Sequence, residues 1–151
     1  VPFAFGKADY DNAVACDSQT IALPQGCTGV YLLAASAEGD RNAVFNAGSD
    51  VNVSVPYYSG FFGGGNWDDY KAFLKDGDVA CVGGHRHDSR IRNEVYEHTY
   101  MFRIFVPVKA GVTELRLPAD KAVTVFSATA VKAQHADAES VSDMVLHLER
   151  L

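Results

Sequence analysis

Short apolar runs separated by turn residues recur along the chain, and their pattern predicts strands rather than helices. The runs VNVSVPYY (51–58) and TELRL (113–117) alternate apolar and polar positions, as strands with one buried and one solvated face do. Further runs, each bounded by turn sequences such as PQGCTG or PADK, are QTIAL, VYLLAASA, AVFNA, DVACVGGHRH, YEHTYMFRIFVPV and VTVFSATAVKA. Eight or nine strands without a usual helix between them predict an all-β fold, an antiparallel β-sandwich of jelly-roll or galactose-binding-like type.

Two segments have helical character. NWDDYKAFLK (66–75) predicts a short helix. At the end of the chain, Val141, Val145 and Leu148 recur at helical spacing after Asp137 or Ser140, either of which could cap the helix. We therefore expect a β-sandwich module over 1–134 and a short C-terminal amphipathic helix or linker over 135–151 that packs on it.

The longest predicted strand assigns its side chains to two faces. Because successive strand residues point to opposite faces, one face carries Tyr96, His98, Tyr100, Phe102 and Ile104, and the other carries Glu97, Thr99, Met101, Arg103 and Phe105. The first set is mostly apolar and is predicted to face the core. His98 is then expected near the end of the sandwich, where it could orient the loop HRHD by hydrogen bonding.

Composition narrows the choice of partners. A chain of 151 residues with 48% hydrophobic content is large enough to form one domain with its own core. The net charge of −6 and the pI near 5.2 argue against nucleic acid, which requires clustered Lys and Arg. No apolar run approaches the roughly 18 residues of a membrane span. The start VPFAFGKADYDN lacks signal-peptide features, so we expect a chain whose leader was removed or that was cut from a longer protein.

Three cysteines, an odd number at unrelated spacings, form no CxxC zinc pattern. Cys16 and Cys81 are interpreted as small buried apolar residues within strands, and Cys27 lies at a turn. The sequence leaves open whether Cys16 and Cys27 form a disulfide or all thiols are free.

The segment HRH could present two imidazoles on one strand face, which is a spacing that a metal ion requires. A small metal-dependent enzyme of the cupin jelly-roll type could then use His85, His87, Glu94 and His98. However, Glu94 follows His87 by seven positions, whereas cupin-type enzymes have the glutamate four or five positions later. Such enzymes also carry a further histidine on a later strand, and the corresponding segment VTELRLPADK contains no histidine. We therefore predict no cofactor and no tightly bound transition metal, although Asp40 or Asp50 could hold a structural calcium ion.

No catalytic constellation stands out. Nothing in the spacing selects a carboxylate pair for hydrolysis among Asp68, Asp69, Asp88, Glu94 and Glu97. Neither a Gly-x-Ser-x-Gly elbow nor a phosphate-binding loop is present. The isolated chain is predicted to be inactive as an enzyme.

Aromatic and planar polar residues favour a sugar site instead. Sugars stack C–H patches on aromatic faces, and their hydroxyls pair with planar donors and acceptors. Trp67 in GFFGGGNWDDY could stack on a sugar, or it could equally cap the core. The predicted hydroxyl partners are Asp68, Arg86, His87, Asp88 and Tyr96.

A series of motifs resembles a known module. DNAVACDSQTIALPQG, VYLLAASAEGDRNAVF, YYSGFFGGGNWDD, GGHRHD and YMFRIFVPVKAGVTELRLPADKAVTVFSATAV together span about residues 3 to 132. Their order resembles the C-terminal β-sandwich module of bacterial proteins related to α-mannosidases of glycoside hydrolase family 38. The resemblance implies a noncatalytic accessory module on a longer parent chain. From the aromatic and polar residues we infer a glycan partner of mannose type, with a secreted, periplasmic or cell-surface setting if the parent acts on extracellular glycans. A purely structural interdomain module is the alternative.

Overall fold

A computed structural model describes residues 1–7, 10–61, 77–87, 89–90, 92–94 and 97–132, and these form antiparallel β-sheets. The strands are β1 (Val14–Ala15), β2 (Thr20–Ala22), β3 (Gly29–Ser36), β4 (Arg41–Asn46), β5 (Asp50–Val55), β6 (Ser59–Phe61), β7 (Val79–Gly83), β8 (Arg86–His87), β9 (Asn93–Glu94), β10 (Glu97–Pro107), β11 (Glu114–Arg116) and β12 (Val123–Val131). The described residues contain no helix. The short helix predicted over 66–75 and the C-terminal helix or linker predicted over 135–151 lie outside them. Within the same residues, no helix is long and apolar enough to cross a membrane.

Two larger sheets and a small hairpin organise the strands. Sheet A has the order β1-β12-β3-β10-β6, with β7 also paired to β10. Sheet B has the order β2-β11-β4-β5, and β8 pairs with β9. The chain crosses between the two larger sheets after β1, β2, β3, β5, β10 and β11. The predicted all-β antiparallel fold is confirmed.

One main core joins the two larger sheets. Sheet A contributes alternate residues such as Val30, Leu32 and Val106, and sheet B contributes Phe45 and Leu115, all fully buried. In β10 the predicted alternation is confirmed from Tyr100 onward: Tyr100, Phe102 and Ile104 are buried, whereas Phe105 is 46% exposed. Glu97, His98 and Thr99 are all partly buried. Alternation therefore identifies which side of β10 faces the core.

Two predicted strands end earlier than their apolar pattern. The run 51–58 leaves sheet B after Val55, because Pro56 has no N–H to donate to a ladder. Tyr58 N instead donates to the Ser36 carbonyl at 2.8 Å, and β6 then begins at Ser59. The run 78–87 was also wrong as one strand, since β7 ends at Gly83 and the separate β8 begins at Arg86.

All three thiols are free, which decides against the Cys16–Cys27 disulfide. Cys16 and Cys27 are buried, and the Cys27 thiol lies 3.1 Å from the Gly29 carbonyl oxygen. The prediction for Cys81 was wrong: it lies in a strand, as expected, but is exposed. Strand β7 pairs only with β10 among the described strands, so its side chains are less enclosed than those of a central strand.

Cys16 gives the protein an expected sensitivity to alkali. Burial, and to a lesser extent the Asp120 carboxylate, raise the pKa of this thiol from 9.0 to about 11. Between these values the unfolded chain loses the thiol proton and the folded chain keeps it, so stability should fall as the pH rises through the window.

We expect Cys16→Ala to reduce this alkaline loss of stability, measured as the change in urea midpoint between the two ends of the window. Tyr100, whose pKa burial also raises, remains in both proteins and contributes equally. Exposed Cys81→Ala is the matched control and should keep the wild-type slope. An unchanged slope in Cys16→Ala would show that its thiol is not the responsible group.

Candidate functional site

The structure describes part of the predicted sugar site. Arg86 and His87 lie on β8, with Arg86 half-buried and His87 exposed. The remaining predicted partners lie outside the described residues; they are Trp67, Asp68, Asp88 and Tyr96. The geometry that can be examined therefore centres on Arg86.

Arg86 lies at the centre of a group that we call the polar rim, formed by Tyr57, Ser59, Arg86, Glu94 and Glu97. Its Nε forms a 2.6 Å ion pair with Glu94 Oε2. Its Nη1 lies 3.5 Å from the Tyr57 hydroxyl and 3.4 Å from Ser59 Oγ, which in turn donates to Glu97 Oε2 at 3.3 Å. The hydrogen bond to Glu94, followed by the nearby negative charges, raises the pKa of Arg86 further above its usual value. The guanidinium is therefore a permanent, oriented donor.

Strand pairing brings the polar rim together. Arg86 and Glu94 are direct partners across the β8–β9 hairpin. Ser59 of β6 is the partner of Thr99 on β10, two residues from Glu97. Thr99 pairs with Ser59 of β6 on one side and with Gly83 of β7, which precedes β8, on the other, so segments distant in sequence meet across β10. Alternation had placed Glu97 and Thr99 on one face, but it could not identify their neighbours on β6 and β8.

An apolar pocket of about 300 Å³ adjoins the polar rim. Its walls come from β3, β7, β10, β12 and neighbouring residues; they are Ala35, Ser36, Ala37, Tyr58, Cys81, Gly83, Thr99, Tyr100, Met101, Thr124 and Phe126. Thr99 connects the two features, since it lines the pocket and is the strand partner of Ser59 in the rim. The volume lies at the lower end of the range for small-molecule sites. Sequence reasoning missed this pocket, because apolar residues that line a cavity and apolar residues in the core show the same pattern in the sequence.

The three described histidines do not form the predicted four-ligand metal site. His98 Nδ1 lies 3.2 Å from the Gly83 carbonyl oxygen, and Glu94 is engaged by Arg86. His85 and His87 contact each other, with 3.0 Å between their Nε2 atoms. Across the described part of the chain, no three His, Cys, Asp or Glu side chains are grouped to hold a metal ion. The four residues of the cupin-like alternative therefore do not converge on one point: His85 and His87 contact each other, whereas His98 and Glu94 have other partners.

A second surface feature lies on sheet A. The Phe105 ring lies 4.9 Å from the Tyr31 ring, and the Arg103 guanidinium lies 5.6 Å from the Tyr31 ring centre. Arg103 is held by a 2.6 Å ion pair with Asp78. A Cβ atom at Gly29 would clash with the Phe105 ring, so the absence of a side chain there makes room for the ring. This arrangement holds an exposed aromatic ring in a defined position.

Comparison with known proteins identifies the fold family. The family model described as AziU2-like beta-sandwich domain matches residues 1–134. No curated protein matches the chain. The predicted β-sandwich module is thus confirmed, whereas the family match provides no link to glycoside hydrolase family 38.

Proposed function

Since the chain belongs to the AziU2-like beta-sandwich domain family, we propose that it acts as a noncatalytic carbohydrate-binding module. The proposed ligand is a mannose-type glycan. The proposed setting is a longer parent chain, a glycoside hydrolase related to α-mannosidases. The observation that supports this proposal most is the apolar pocket, whose lining residue Thr99 pairs with Ser59 of the polar rim.

An apolar pocket together with a polar rim suits both the apolar and the polar groups of a sugar. A pyranose ring has a C–H face that gains from apolar and aromatic contact, and hydroxyls that need oriented donors and acceptors. In the pocket, Tyr58, Tyr100 and Phe126 supply aromatic contact area. In the rim, Arg86 is a donor, and Glu94 and Glu97 are acceptors whose contacts within the protein already orient them. Trp67, Asp68, His87, Asp88 and Tyr96 remain proposed additional contacts.

The affinity should be modest. The pocket is small, and each hydrogen bond to a sugar hydroxyl replaces one to water. A net gain of about 1 kcal/mol per bond gives dissociation constants of roughly micromolar to millimolar. Such a site suits a module that keeps its parent chain near a polymer.

Filling the pocket should abolish glycan binding without unfolding the protein. Cys81 lines the pocket and is exposed, so Cys81→Trp should place an indole in the cavity at little cost to the core. We expect retardation in affinity electrophoresis on mannan to fall by about tenfold or more, equivalent to about 1.4 kcal/mol. Arg86→Gln should also weaken retardation, because it removes the charged donor.

Val82→Trp is the matched control, because Val82 is adjacent, 52% exposed and absent from the pocket lining. Melting temperatures of all variants should be measured beside the binding. Retardation that persists unchanged in Cys81→Trp and Arg86→Gln would place the glycan elsewhere. If no polysaccharide in a broad panel retards the wild type, the supporting-module alternative replaces the proposal.

A further inference from the structure

The side chains of His85 and His87 converge at their outer nitrogens. Their ring centres are 5.0 Å apart, but their Nε2 atoms are only 3.0 Å apart, and the ring planes differ by 30°. The rings therefore point toward a common region instead of stacking side by side. Two nitrogen lone pairs directed at one region form the beginning of a metal site.

The spacing also indicates which metal geometry fits. At metal–nitrogen distances of about 2.0–2.1 Å, two nitrogens 3.0 Å apart subtend an angle of roughly 90° at the metal. This angle belongs to square-planar or octahedral coordination, which Cu²⁺ and Ni²⁺ favour with nitrogen ligands. Tetrahedral Zn²⁺ would need the nitrogens a few tenths of an ångström farther apart.

We propose that His85 and His87 form a two-imidazole site for an exchangeable Cu²⁺ or Ni²⁺ ion. Both histidines are exposed, so water can occupy the remaining coordination positions. Arg86 lies between them in sequence, but its guanidinium is engaged with Glu94 at 2.6 Å, which offsets its positive charge. Because no third ligand joins the pair among the described residues, the ion exchanges readily and keeps open coordination positions for a ligand oxygen or nitrogen.

Without metal, the same geometry is that of a hydrogen bond in which one Nε2–H donates to the other Nε2. Metal binding requires both rings to carry their proton on Nδ1, so that both Nε2 atoms are free to coordinate. The hydrogen-bonded pair is thus the competing metal-free state, which further limits the affinity.

The test is titration of the full chain, stripped with chelator and dialysed, with Cu²⁺, Ni²⁺ and Zn²⁺ in a weakly coordinating buffer. Calorimetry should give one Cu²⁺ per chain at this site. Electron paramagnetic resonance should show a tetragonal signal with two imidazole nitrogens. His85→Gln and His87→Gln should each weaken binding by about tenfold or more.

His98→Gln is the control, since His98 contacts the Gly83 carbonyl and lies outside the pair. It should keep both the affinity and the two-nitrogen signal. The proposal is overturned if the variant lacking both His85 and His87 binds Cu²⁺ as well as the wild type, because the ion then binds elsewhere. Preference for Zn²⁺ over Ni²⁺, or no binding at millimolar metal, would equally contradict it. The titration requires no glycan, so its outcome is independent of the carbohydrate-binding proposal.

Discussion

Phe45→Ala is expected to lower the free energy of unfolding by about 3–5 kcal/mol. Phe45 is fully buried in β4, a central strand of sheet B, and is among the largest fully buried side chains of the core. Removing its ring loses apolar burial and leaves a cavity that surrounding strands can fill only in part. Urea denaturation should show the loss, and the melting temperature should fall by roughly 10 °C or more.

The neighbouring residue provides the control. Val44 is 44% exposed on the same strand and faces the opposite side. Val44→Ala should change the unfolding free energy by less than about 1 kcal/mol. If both variants lost similar stability, Phe45 would not be packed between the sheets as described.

Gly48→Ala is expected to lower the free energy of unfolding by about 2–4 kcal/mol, because backbone strain and a steric clash combine. Gly48 has φ of 90°, a left-handed conformation that costs an L-residue about 1–2 kcal/mol. An added Cβ would also lie 2.6 Å from Val112 Cγ2 and 2.9 Å from Lys109 Cβ, so those side chains or the turn must move. Urea denaturation of the purified variant measures the total loss of unfolding free energy.

Gly39→Ala separates the two penalties. Gly39 has φ of 70°, but a Cβ there would meet nothing within 4 Å. The loss of unfolding free energy in Gly39→Ala should therefore be limited to the backbone penalty of about 1–2 kcal/mol. Equal losses in the two variants would show that the contacts of Gly48 with Val112 and Lys109 contribute nothing.

Much of the fold could be predicted from local pattern, because strand periodicity is a property of consecutive residues. The alternation in β10 identified Tyr100, Phe102 and Ile104 as core residues before any pairing was known. Pattern alone extended the run 51–58 past Pro56, although proline lacks the donor that a ladder needs. It also joined β7 to β8, since apolar spacing does not show where a strand leaves its sheet.

The candidate site was harder to predict because it depends on pairing between distant segments. Arg86 was selected for its chemistry, but its contact with Ser59 arises only when β6 and β7 both pair with β10. Cys81 shows the same difficulty, since a residue lining a pocket and a residue in the core have the same sequence pattern. Of the resemblance to an α-mannosidase-associated module, the β-sandwich is confirmed and the glycoside hydrolase parent remains a proposal.

The border strands of sheet A bear on how the chain behaves in crowded solution. The five-residue β7 forms one border of sheet A, and the two-residue β1 forms the opposite border. The three-residue β6 pairs with β10 on the edge that β10 also presents to β3. Long uninterrupted edge strands offer backbone donors and acceptors to other chains and so promote fibre formation. Within the described residues, sheet A ends in short strands at both borders. Such short border strands limit edge-to-edge aggregation through this sheet.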